Sequence, residues 1–105
     1  METQMVYITT ATKDEARVIG KALVAERLAA CVNIIEGMNS MYWWQGEIQD
    51  EQETVLIAKT RAARVEALTE RVKQLHSYDV PCVVALPIRA GNPDFLAWIE
   101  AETKT

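Results

Sequence analysis

Apolar positions recur along the chain in two rhythms, and the switches between them mark the elements. Residues 5–10 (MVYITT) are a short β-rich run that reads as a strand. Thr12, Lys13, Asp14 and Glu15 then take the form of a capping box. In it the Thr12 hydroxyl accepts from the Glu15 amide, and the Glu15 carboxylate reaches back to the Thr12 amide. Ala16, Ile19, Gly20, Leu23 and Val24 follow at helical spacing as one apolar stripe. Glu15, Arg17, Lys21, Glu26 and Arg27 take the wet side, so the pattern predicts a helix to about Leu28.

Residues 29–60 carry a longer pattern. Residues 31–35 are apolar and β-branched, residues 40–44 are rich in aromatics, and residues 54–60 are β-rich again. Gln45-Gly46 supplies turn chemistry between the arms, so the stretch predicts a β-hairpin. It is long for a small domain, where strands run about 5–6 residues, and its edges are expected to meet other copies of the chain. Glu36-Gly37 interrupts the first arm as a bulge or bend. The polar run Asp50, Glu51, Gln52, Glu53 reads as a solvated strand tip and not as a metal site.

A second helix spans about residues 61–75, with Val65, Leu68, Val72 and Leu75 on one stripe and the basic pair Arg61 and Arg64 at its solvated start. Residues 76–79 connect it to a fourth strand, residues 80–88 (VPCVVALPI). Pro81 and Pro87 remove ladder donors, which puts this strand at an edge or its prolines at its ends. Asn92-Pro93 gives an N-cap with proline at the first helical position, and a last helix runs to about Glu102 on Phe95, Leu96, Trp98 and Ile99.

The order is β-α-β-β-α-β with a terminal helix, an α+β class. Right-handed crossovers place both main helices on one face of an antiparallel sheet, the ferredoxin-like plait with strand order 4-1-3-2. Cys31 and Cys82 then lie on opposite edge strands, about 14 Å apart at ~4.8 Å per spacing, too far for a disulfide. Residues 55–58 and 82–86 are apolar at consecutive positions, as in strands buried on both faces. The helices cover one face only, so self-association with closed symmetry is expected.

Residues 1–105 fit one domain, half hydrophobic and a quarter charged. A net charge of −4 disfavours a nucleic-acid partner. The first residues lack a signal-peptide pattern and no stretch is long enough to span a membrane, so the expectation is a cytoplasmic protein. The two cysteines read as buried thiols.

Several motifs converge on one family. Leu28-Ala29-Ala30-Cys31-Val32-Asn33 resembles its "LAACxN" signature, and Ser40-Met41-Tyr42-Trp43-Trp44-Gln45-Gly46 its "SxYxWxG" hairpin. Ile57-Ala58-Lys59-Thr60 matches "xxKT", His76-Ser77-Tyr78-Asp79-Val80-Pro81 is similar to "HPYxxP", and Pro93-Asp94-Phe95-Leu96-Ala97-Trp98 to "xxYLxW". Together they cover nearly the whole chain and resemble the CutA divalent-cation tolerance family. The resemblance implies a ferredoxin-like subunit in a tight homotrimer, with hairpins paired across subunits in a PII-like manner. It also implies a link to divalent metals, copper in particular. Copper ligation in bacterial relatives draws on positions that here read Thr9, Leu75 and His76, of which His76 alone is a plausible ligand; Ser77 stands where the loop usually has proline.

The remaining readings stay in pairs. His76 is a structural histidine or a metal ligand. Lys59 is a snorkelling side chain or an anion-binding residue in a cleft between subunits, which Tyr42, Trp44, Tyr78 and Trp98 would line if they do not simply pack an interface. No Ser-His-acid set, P-loop, G-x-G-x-x-G or C-x-x-C is present. The loop after the first strand lacks the arginine of an acylphosphatase and the paired cysteines of a heavy-metal-associated chaperone, and the acidic charge disfavours an RNA-recognition motif. The expected function is a trimeric, non-enzymatic binding or signalling module in metal tolerance. The alternatives are direct binding or storage of copper or another divalent cation, and a small-anion sensor or enzyme acting on a small molecule at an intersubunit cleft.

Overall fold

The structure, a computed structural model, describes residues 2–104. Its elements are β1 (Thr3–Thr10), α1 (Lys13–Ala25), β2 (Cys31–Trp44), β3 (Glu47–Arg61), α2 (Val65–Leu75), β4 (Val83–Pro87) and α3 (Pro93–Glu102), with a 3-10 turn over Ala62–Arg64 before α2. The strands form one antiparallel sheet in the order β2-β3-β1-β4, the expected 4-1-3-2 plait read from its other edge. No helix of the described residues is long and apolar enough to cross a membrane.

Strand alternation builds the core. Val6 and Ile8 of β1 and Leu56 and Ala58 of β3 are fully buried, against Ala16, Ile19 and Leu23 of α1 and Leu68 and Val72 of α2. Each larger side chain of this set contributes roughly 1.5–3 kcal/mol by leaving water. Gly20 lets α1 approach β2, since a Cβ there would lie 3.0 Å from Val32 Cγ2. Val24, expected on the buried stripe, is exposed. The helix also stops three residues short of Leu28. Arg27 turns left-handed (φ 62°), and the amides of Leu28 and Ala29 both donate back to the Leu23 carbonyl, at 2.9 and 3.1 Å.

Half of the expected capping box forms. Thr12 Oγ1 accepts from the Glu15 amide at 3.1 Å. The Glu15 carboxylate does not return to the Thr12 amide; it accepts from the amides of Ala11 at 2.9 Å and Ser77 at 2.7 Å. Ser77 lies in the connection after α2, so the side chain ties the start of α1 to the end of α2.

Gln45 and Gly46 both have positive φ, 51° and 82°, as a two-residue primed hairpin turn requires. β1 pairs with β3 only from Thr54 to Arg61. Beyond that point β2 and β3 run on alone as a two-stranded ribbon, and the molecule measures 44 × 25 × 21 Å. Ile35 pairs with Val55 but Met38 pairs with Glu53, so Glu36 and Gly37 together oppose Thr54. Gly37 has φ 81°, and the interruption is a β-bulge.

β4 is an edge strand that starts after Pro81 and ends on Pro87, as the prolines require. The expected burial of residues 82–86 on both faces is not met within one chain: Val84, Ala85 and Leu86 are exposed. The helix-borne core is centred on β1 and β3 and takes in only Val83 of this strand. Cys82 lies just before the strand, and both cysteines are free and half-buried. At the other end of β3, α3 starts on the Asn92 cap, whose Oδ1 accepts from the Asp94 amide at 3.0 Å, and buries Ile99. Arg61, expected in solvent, is half-buried and donates from Nε to the Thr103 carbonyl at 3.3 Å.

Candidate functional site

Where the ribbon leaves the sheet, on the face opposite the helices, lies a groove of about 740 Å³. β1 contributes Tyr7 and Thr9, β2 contributes Met38, Tyr42 and Trp44, β3 contributes Glu53, and the connection from α2 to β4 contributes Ser77, Tyr78, Asp79 and Cys82. The volume is in the usual range for a small-molecule site, roughly 300–1,000 Å³.

His76 holds the connection in place. Its side chain is fully buried. The Tyr78 amide donates to Nδ1 at 3.0 Å, which makes Nδ1 the acceptor and leaves Nε2–H to donate to the Thr9 carbonyl at 2.8 Å. The imidazole and the Tyr78 ring lie 4.6 Å apart. Glu15 Oε2 is 3.8 Å from Nδ1. Burial pushes the Glu15 carboxyl up, but donation from the Ser77 hydroxyl and the amides of Ala11 and Ser77, with His76 adding to it, holds it below its ordinary value.

Tyr78 O–H donates to Glu53 Oε2 at 2.8 Å. Glu53 is only 7% exposed, which corrects its reading as part of a solvated tip; Asp50, Glu51 and Gln52 are exposed as expected. Burial, then the bond to Glu53, raise the Tyr78 phenol far above its ordinary pKa. Tyr42 O–H donates to Glu51, and that bond pushes the phenol up to about 12. Tyr7 O–H points to Met38 Sδ at 3.2 Å. Burial, seconded by the charge of Glu53, raises the Cys82 thiol against an opposing bond from Thr9.

Of the residues singled out in the sequence, Tyr42, Trp44 and Tyr78 meet in this groove. Lys59 does not. It is six residues beyond Glu53 along β3, about 20 Å at the rise of a strand, with Nζ donating to Asn33 Oδ1 at 2.6 Å and 4.0 Å from Cys31 Sγ. Trp98 sits on α3 against Phe95, ring centres 5.4 Å apart. His76 lies behind the groove wall with both ring nitrogens engaged. Thr9 is buried and Leu75 packs against the core, without a donor. These three positions do not fit a metal ion within one chain, and the described residues contain no group of three or more His, Cys, Asp or Glu placed to hold one. Glu53 and Glu15 are not among the site residues that the sequence names. Strand parity is the signal for Glu53, which shares its face with Val55 and Ile57.

A family model described as CutA1 divalent ion tolerance protein matches residues 4–102. The protein named "Divalent-cation tolerance protein CutA" of Thermus thermophilus is 51% identical over 100 residues, covering 95% of this chain and 97% of that protein. "Protein CutA 1, chloroplastic" of Oryza sativa is 46% identical over 95% of this chain, which spans 56% of that protein's length. The solved Thermus thermophilus Cut A1 structure superposes with a TM-score of 0.95 at 50% identity, covering 97% of this chain and 99% of that one. A structure described as the periplasmic divalent cation tolerance protein CutA of Archaeoglobus fulgidus superposes with a TM-score of 0.94 at 39% identity, over 97% and 99%.

Proposed function

The chain belongs to the CutA1 divalent ion tolerance family, and from that premise we propose that it serves divalent-cation tolerance, copper included, as a homotrimeric binding and signalling module without catalysis. One observation carries the assembly. The sheet face away from the helices and the ribbon present Met5, Ile35, Met41, Trp43, Ile48, Val84 and Leu86 to solvent, in a single chain whose edge strands β2 and β4 each pair on one side only. Soluble monomers rarely leave so much apolar surface and so much strand edge uncovered, and closed symmetry among copies covers both.

The groove's chemistry supports binding over catalysis. Burial and the Glu51 and Glu53 carboxylates push Tyr42, Tyr78 and Cys82 upward, which disfavours the anionic forms that a base or nucleophile would need. The metal link does not run through a centre built on His76, whose nitrogens serve Thr9 and Tyr78. The two free thiols suit a reducing cytoplasm as the compartment, although relatives carry chloroplastic and periplasmic in their names.

Sedimentation equilibrium at micromolar concentration tests the reading. The expected mass is three times the 11.8 kDa of one chain. Leu86→Glu, at a position 48% exposed in the single chain, is expected to shift it toward one chain with the far-ultraviolet circular dichroism unchanged. A wild-type monomer would sink the assembly.

A further inference from the structure

We draw no further inference here: the strongest candidate, the exposed apolar pair Trp43 and Ile48 set across from each other at the far end of the β2-β3 ribbon, carries nothing, because nothing in the structure shows what covers it.

Discussion

Glu53 and Tyr78, separated by 25 residues, meet through one hydrogen bond of 2.8 Å that joins β3 to the connection after α2. The carboxylate is buried, so the phenol is its substitute for water. Tyr78→Phe therefore leaves a buried acceptor unsatisfied and should destabilise the protein by about 1–3 kcal/mol. The shift in urea midpoint at fixed protein concentration measures it. Combined with Glu53→Leu, which removes the orphaned group, the loss should be smaller than the sum of the two single losses; strict additivity would mean the bond contributes nothing.

Glu15 sets an acid limb. Its folded carboxyl lies below the ordinary 4.5, so the unfolded chain takes up the proton more readily than the folded one. Its contribution is complete above 4.5 and falls away as pH drops through the lowered folded value. Melting temperature recorded from about pH 6 down to about pH 3 should decline less steeply in Glu15→Gln than in wild type. Parallel curves would refute the assignment.

His76 is expected to act in the fold and not at a metal. His76→Asn disturbs a buried side chain bonded to the Thr9 carbonyl and the Tyr78 amide, and should lower stability by about 1–3 kcal/mol in denaturant titrations. Calorimetry with Cu²⁺ should give the same affinity for wild type and variant. Copper affinity lost in a folded variant would make His76 a ligand.

The two positive-φ glycines of the hairpin isolate a backbone effect. Nothing lies within 4 Å of a Cβ built on Gly37 or Gly46, so Ala meets no clash at either site. Gly37→Ala and Gly46→Ala should each destabilise by about 1 kcal/mol through the left-handed backbone alone, with the double variant close to additive. Thermal melts at matched concentration would show whether either substitution is silent.

The element order was legible because local chemistry punctuates it. Thr12, Gln45-Gly46, Pro81, Pro87 and Asn92-Pro93 each mark a boundary with a physical reason at that residue. Contacts between distant residues were not legible. Glu15 has the right spacing for a capping box, yet the Ser77 amide 62 residues away holds its carboxylate instead. Glu53 closes a polar run, and only the fold brings Tyr78 to it. The apolar run at residues 82–86 announces that something must cover β4, but hydrophobicity is non-directional and does not say which chain supplies the cover. For Lys59 and the aromatics the sequence named the right residue types without showing that a strand's length parts the lysine from the groove.

The bulge at Gly37 works as a phase shift in the code that the strand reads out. In an unbroken strand Ile35 would share its face with Asn39, Met41 and Trp43; the extra residue hands that face to Met38, Ser40, Tyr42 and Trp44. One left-handed glycine thus chooses between two interleaved sets of side chains already written in the same arm. A substitution that ironed the bulge flat at constant chain length would invert the ribbon's polarity, turning Tyr42 and Trp44 off the face they share with Met38 and putting Trp43 on it, without altering a single residue of either set.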